Sequence, residues 1–199
     1  MHQVYLGLGS NINAERNIYA GIAALEALFA DVTLSSLYRS EAVGFDGAPF
    51  LNLVMGIKTD LPLGKLATTL RELEYHYGRR INIPKFTSRK LDIDILTFDD
   101  YCGVYGTVTL PRPEVLENVY VLCPFAELAP ALILPGQSLT LKEFWQRYSN
   151  PYQSVEMFGS VNRKHMAFYS RSPVMDSRLC EKPLCPLALT DTLLKLTAE

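Results

Sequence analysis

The chain has little of what marks a zinc protein, a secreted protein or a membrane protein. Its 199 residues include four cysteines and three histidines. Cys102, Cys123, Cys180 and Cys185 form no Cys-x-x-Cys pair and the histidines are scattered, whereas zinc sites cluster such ligands a few residues apart. Reduced thiols are expected and a zinc site is not. No basic segment precedes an apolar one at the start, and no apolar run nears the ~20 residues that cross a bilayer. A cytoplasmic protein without membrane contact follows as the expectation. Neither charge dominates, with 19 Lys and Arg against 21 Asp and Glu and a net charge of −2. No global field therefore draws the chain to nucleic acid, and local clusters must carry any electrostatic function. With 48% hydrophobic and 20% charged residues, one well-buried domain with an appendage is expected.

The common nucleotide loops are missing as well. Val4 to Leu8 reads as a buried strand running into Gly7-Leu-Gly-Ser-Asn11. Position 12 is Ile rather than the third glycine of the dinucleotide fingerprint, and no Gly-Lys-Ser/Thr follows. Gly64-Lys65 fails the phosphate-loop pattern too, having Thr59 and Leu66 where Gly and Ser/Thr belong. Any ATP must be bound by another scaffold.

What is present is concentrated in Arg89-Lys-Leu-Asp-Ile-Asp-Ile-Leu96. Asp92 to Leu96 alternates acid with aliphatic residues and reads as a strand. Asp92 and Asp94 then project from one face, ~7 Å apart. Two such carboxylates repel each other unless a cation sits between them. Hard oxygen ligands of this kind suit Mg²⁺, which takes one or two carboxylates plus substrate phosphates. Arg79, Arg80, Lys85, Arg89 and Lys90 supply a positive cluster suited to a polyphosphate. An isolated Asp-x-Asp is more often a solvated strand edge with surface salt bridges, so the rest of the chain has to decide.

Around this stretch, Glu15 to Phe29 carries Ile18, Ile22, Leu25 and Phe29 at helical spacing, with Asn13 as candidate cap. Val32 to Tyr38 reads as one strand, Arg39 to Pro49 as a loop, and Phe50 to Thr59 as a strand with Phe50, Asn52 and Val54 on one face. Pro62 opens a second helix with the stripe Leu66, Leu70, Leu73 and Tyr77, closed by Gly78. Asp99 to Gly106 reads as a turn and Thr107 to Leu110 as a short strand. After the break at Pro111-Arg-Pro113 comes an apolar helical stretch, Tyr120 to Ala129. Leu139 to Tyr148 is a last amphipathic helix holding Trp145. The order predicts an α+β fold, a ferredoxin-like-type β-α-β-β-α-β sandwich whose sheet is antiparallel or mixed, with the helices on one face. Residues 1–149 form the expected domain. From about Asn150 the periodicity fades into a C-terminal extension, 150–199, that is either a wrap on the domain or a binding arm.

From Val4 to about Tyr148 the chain resembles the hydroxymethyl-dihydropterin pyrophosphokinase family of folate biosynthesis. The resemblance is carried by Tyr5-Leu-Gly-Leu-Gly-Ser-Asn11, Leu37-Tyr-Arg-Ser40, Phe50-Leu-Asn52, Glu74 with Gly78-Arg79, Arg89 to Leu96, and Cys123-Pro-Phe-Ala-Glu-Leu-Ala-Pro130. It implies ATP-dependent transfer of diphosphate to the hydroxymethyl group of a reduced pterin, with two Mg²⁺ ions held by Asp92 and Asp94 and phosphates gripped by Arg79 and Arg89. Glu74, with Ile95 and Thr109, would seat the nucleotide. Asn52 would read the pterin edge, Phe50 and Tyr120 would sandwich the ring, Ser40 and Val43 would line the pocket, and residues Gly78 to Arg89, with Phe86, would close over it. Four positions depart from the family pattern. Ile81 and Asn118 stand where arginines are usual, Phe86 replaces a tryptophan and Arg112 a histidine. Each missing cation removes a phosphate contact worth ~1.5–3 kcal/mol, for which Arg71, Arg80 and Arg112 are candidate replacements. Three functions stay open at this point: the hydroxymethyl-dihydropterin enzyme, a pyrophosphokinase on another pterin-like alcohol, and a non-catalytic pterin or nucleotide binder. The sequence does not choose between monomer and homodimer.

Overall fold

The structure, a computed structural model, describes residues 1–79 and 87–164. Arg80, Ile81, Lys85, Phe86, Cys180 and Cys185 lie outside them. Strand β1 (His2–Ser10) leads through Asn13 into helix α1 (Ala14–Leu28), followed by β2 (Ala30–Leu34), β3 (Leu37–Ser40) and β4 (Phe50–Thr59). Helix α2 (Leu63–His76) and β5 (Asp92–Phe98) complete the first half. A small hairpin of β6 (Gly103–Tyr105) and β7 (Val108–Leu110) precedes α3 (Glu114–Glu117), α4 (Val119–Leu128), α5 (Leu141–Arg147) and β8 (Val155–Gly159). The main sheet runs β5-β1-β4-β3-β8, with β2 also on β4, and each of its pairings is antiparallel.

The predicted α+β architecture and alternation hold, and the alternation places a separate layer on each face. In β1, Val4, Leu6 and Leu8 point one way. They meet Leu51, Leu53, Met55 and Ile57 of β4 and the stripes Ile18, Ile22, Leu25 of α1 and Leu66, Leu70, Leu73 of α2. The opposite face carries Tyr5, Val54 and Leu96 under Val115, Leu122, Phe125 and Leu141 of α3, α4 and α5. Helices therefore cover both faces, not one. A strand pattern of period two defines two faces but says nothing about which later helix returns to cover the second.

Other expectations need local correction. The stretch Val32 to Tyr38 is two strands broken at Ser35-Ser36. Ser35 Oγ accepts the Val54 N–H at 2.9 Å, and Ser36 donates its N–H and hydroxyl to Glu127. Serine side chains compete with the ladder in this way. Asn13 begins α1 in the left-handed region (φ 45°) and makes no side-chain cap bond. The helix entry is tied instead by Asn17 Nδ2, which donates to the Ile12 carbonyl at 2.6 Å. The turn expected over Asp99 to Gly106 contains β6. Residues after Tyr148 rejoin the sheet as β8, with Ser40 opposite Val155.

At its C-terminal end α2 stops as its Gly78 demands. Gly78 takes φ +90°, its N–H reaches the Tyr75 carbonyl, and the Arg79 N–H reaches Glu74 at 2.9 Å. This pair of bonds is the Schellman closure, and it aims Arg79 back over the sheet. Tyr77 locks the same end to α1 by donating its hydroxyl to the Ala20 carbonyl at 3.1 Å.

Leu6 is fully buried between sheet and helices, whereas Val104 is 73% exposed. Leu6→Ala is expected to cost about 2–5 kcal/mol and Val104→Ala less than about 0.5 kcal/mol, measured by urea midpoints.

Candidate active site

The α4-side face of the sheet is left uncovered at one corner, where β5, β1, β4 and β3 meet. Gly9 is paired with Asp92 on one side and Asn52 on the other, and Gly7 with Asp94 and Val54. Directly opposed residues share a face, so two glycines form the floor between an acidic strand and an amide-bearing one. Any larger residue there would press on its neighbours. A Cβ on Gly9 would lie 3.3 Å from Asn52 Oδ1, and one on Gly7 3.2 Å from Leu96. The cleft above this floor has a volume of about 210 Å³, smaller than the ~300–1,000 Å³ of most drug-sized ligand sites and suited to a compact ring.

Nine residues singled out from the sequence line this cleft together: Ser40, Val43, Phe50, Asn52, Arg89, Asp92, Asp94, Arg112 and Tyr120. Arg79 and Glu74 stand behind Asp92. Arg79 Nη1 donates to Asp92 Oδ1 at 3.0 Å and also pairs with Glu74. Three others are elsewhere. Arg71 is exposed on α2, Thr109 is exposed on β7, and the Ile95 side chain belongs to the core under α1 and α2. Phe86 lies outside the described residues. Glu41 and Phe45, from the loop before β4 that was expected to shape the pocket, and Thr87, from the segment expected to close over it, also line the cleft, as do Glu114 and Val121, which were not anticipated. Phe45 meets Phe50 edge-on at 6.3 Å.

The electrostatics are those of a crowded ion cluster. Asp92 Oδ1 faces Arg79 at 3.0 Å and Arg89 at 3.4 Å, and Asp94 Oδ1 faces Arg112 at 3.2 Å. Arg112 also reaches Glu114 at 3.5 Å. Burial, then the charge of Asp92, pushes the Asp94 carboxyl up to about 6 against the pull of Arg112. Glu74 is 3% exposed and accepts the Ile93 N–H at 2.8 Å. Its burial raises it to about 7 although that hydrogen bond favours the charged form. For Arg79, burial favours the neutral form, but Glu74 and Asp92 outweigh it and hold the guanidinium charged. Burial, then the nearby Glu114 and Asp94 charges, keeps the Tyr120 phenol protonated.

At the far end of the floor, Asn52 Nδ2 donates to Ser40 Oγ at 3.0 Å with both groups buried. That bond fixes the plane of an amide able to recognise a flat heterocycle edge-on. Asn11 joins the two walls. Its Oδ1 accepts the Arg89 N–H at 2.7 Å, and its Nδ2 donates to the Ala48 carbonyl and to Ser88 Oγ, each at 3.1 Å.

The model of the 7,8-dihydro-6-hydroxymethylpterin-pyrophosphokinase family matches residues 5–130. The chain belongs to that family. A 2-amino-4-hydroxy-6-hydroxymethyldihydropteridine pyrophosphokinase of Aquifex aeolicus is 34% identical over 146 residues, 72% of this chain and 91% of that one. The enzyme of the same name from Haemophilus influenzae is 31% identical over 143 residues, 70% of this chain and 89% of its own. Among solved structures, Plasmodium falciparum HPPK-DHPS superposes with a TM-score of 0.60 at 12% identity, over 74% of this chain and 44% of that one. At that identity the likeness is one of fold, and this chain spans less than half of the Plasmodium chain.

The stretch matched by this pyrophosphokinase family model, residues 5–130, contains every residue that lines the cleft. Asn11 is 6% exposed, so Asn11→Ala strands a backbone N–H and a carbonyl at the cleft edge. A loss of about 2–3 kcal/mol is expected from the urea midpoint, against less than about 1 kcal/mol for Ser88→Ala at the exposed partner.

Proposed function

We propose that the chain transfers diphosphate from ATP to the hydroxymethyl group of 6-hydroxymethyl-7,8-dihydropterin, giving AMP and the pterin diphosphate. The observation that carries this reading is the row Asp92–Gly9–Asn52 across three adjacent strands. It separates an acidic, arginine-rich end from an amide end by about two strand spacings, ~10 Å. A pterin gripped at its amide-like edge by Asn52 points its hydroxymethyl group at the acids. Phe50 and Tyr120 supply apolar walls for the ring, with Ser40 and Val43 beside them.

The cleft has room for the ring, so the nucleotide lies along its acidic rim. Asp92 and Asp94 fit Mg²⁺ by chemistry, being two hard oxygen donors on the same face of one strand and lining one cleft. The pair needs phosphate oxygens to complete a coordination shell, as Mg²⁺ at substrate phosphates does. When bound, two such ions would neutralise the triphosphate and align it for in-line displacement. Arg79 and Arg89, already beside Asp92, turn their remaining donors to the phosphates and stabilise charge as the transferred group moves. The hydroxyl oxygen attacks the β-phosphorus, the α–β bridging oxygen leaves on AMP with the bond's electron pair, and the hydroxyl proton is released. Glu74 acts at one remove, holding Arg79 and the Ile93 backbone. Ile95 and Thr109 contribute to nucleotide binding, Ile95 through its main chain because its side chain is in the core.

Of the two candidate replacement cations among the described residues, Arg71 and Arg112, it is Arg112 whose guanidinium lies against the acids. It takes the phosphate role, while Arg71 remains on the outer surface of α2. Residues 1–149 carry the chemistry and 150–199 extend it. Among the described residues no helix is long and apolar enough to cross a membrane, and an ATP-consuming step of folate synthesis belongs in the cytoplasm.

AMP release from ATP and Mg²⁺ with and without the pterin tests the reading. Pterin-dependent AMP is expected, and loss of at least ~10³-fold in Asp92→Ala/Asp94→Ala. Saturable pterin binding with no AMP would overturn it in favour of a non-catalytic binder, and AMP only with another pterin alcohol would reassign the substrate. Arg112→Ala is expected to lower kcat/KM for ATP by about 10–100-fold. Unchanged kinetics would remove Arg112 from the site.

A further inference from the structure

The segment beyond the matched family stretch returns to the cleft from behind. Gln153 Oε1 accepts the Val119 backbone N–H at 2.9 Å and the Tyr148 hydroxyl at 2.8 Å, and its Nε2 donates to Asn118 Oδ1 at 3.0 Å. Val119 is the first residue of α4, so its N–H is one of the four that a helix cannot satisfy internally. A capping side chain serves the N–H of the second or third helical residue, so the first is ordinarily left to water or to a partner from elsewhere. Here Asn118 occupies the capping position and makes no side-chain cap bond. The acceptor comes from 34 residues further along the chain.

The turn so held is the one that carries Tyr120 and Val121 into the cleft. It is weak from within, because Pro124 lies inside α4 and offers no N–H to the Tyr120 carbonyl. The same segment also braces the opposite wall. Val155 pairs with Ser40 in the β3–β8 ladder, and Ser40 orients Asn52. Tyr148 and Val155 pack on the cluster of Tyr38, Val119 and Cys123, which ties β3 to α4.

We infer that Gln153 is a positioning residue for the pterin-side wall, fixing Tyr120 relative to Phe50 and Asn52 without itself lining the cleft. The inference rests on the pterin reading above. Its chemistry is specific: an amide carbonyl toward the helix N-terminus and an amide N–H toward Asn118. Gln153→Glu keeps the acceptor for Val119 and Tyr148, whereas Gln153→Ala removes all three bonds.

The test uses the full chain. Gln153→Ala is expected to raise KM for hydroxymethyl-dihydropterin about five- to tenfold, with kcat and KM for ATP within about twofold. Gln153→Glu is expected to restore pterin KM to within about twofold of wild type. Hydrogen exchange at the Val119 amide is expected to quicken in the alanine variant and not in the glutamate one. Equal changes in both KM values, or an unmoved pterin KM, would overturn the positioning role. If wild type forms no pterin-dependent AMP, the functional reading fails, and the exchange arm still decides about Gln153. Unchanged protection of Val119 then overturns the inference. Should Gln153→Ala not fold, Gln153→Leu, which keeps the bulk of the side chain and loses the same three bonds, replaces it with the same pair of outcomes.

Discussion

Asp92 and Asp94 stand on the same face of one strand, and their mutual repulsion is the constraint to which the rest of the site answers. A pair of like charges at this spacing persists only if cations flank it. Arg79, Arg89 and Arg112 arrive from three separate places: the closure of α2, the approach to β5, and the turn before α3. Each depends on a backbone device rather than on its own side chain. Gly78 turns Arg79, Asn11 pins the main chain at Arg89, and the Arg112 N–H is bonded to the Leu96 carbonyl at 2.8 Å. The backbone at each arginine is thus anchored to the sheet or to a helix end that packs on it.

Burial explains why this matters energetically. Glu74 sits beneath the cluster with almost no exposure, and a carboxylate there is tolerable only because Arg79 and the Ile93 N–H face it. The cost of holding acids in such a place is met by the surrounding core. That core is largely one continuous layer of β1, β4 and β5 aliphatic residues against α1 and α2.

Much of this was legible in the sequence because it is local. The alternation of Asp92, Ile93, Asp94 and Ile95 fixes which side chains share a face, and the stripes of α1 and α2 mark the helices that cover the other. Asn52 and Phe50 could be placed on one face of β4 by the same parity. What parity cannot reveal is pairing between distant segments. That Gly9 lies between Asp92 and Asn52 follows from the β5-β1-β4 order, to which no single stretch testifies. The break at Ser35-Ser36 depends on Glu127, far along the chain, and the placement of Gln153 depends on a helix end it does not border. Ile95 follows from the same parity: as the odd residue of the alternation its side chain faces the core, which leaves its main chain for the proposed nucleotide contact.

Position in the sheet gives the two aspartates a second consequence. Among the described residues β5 is an outer strand, with β1 on one side and no sheet strand on the other, but Glu74 accepts its Ile93 N–H and the Arg112 N–H reaches its Leu96 carbonyl. Exposed strand edges are templates for pairing with another chain, and charges along them are a common protection. The groups that hold the acids in place thus also occupy backbone positions that would otherwise be open to another chain. Glu74 and the turn before α3 shield β5 from pairing between copies while they position its carboxylates.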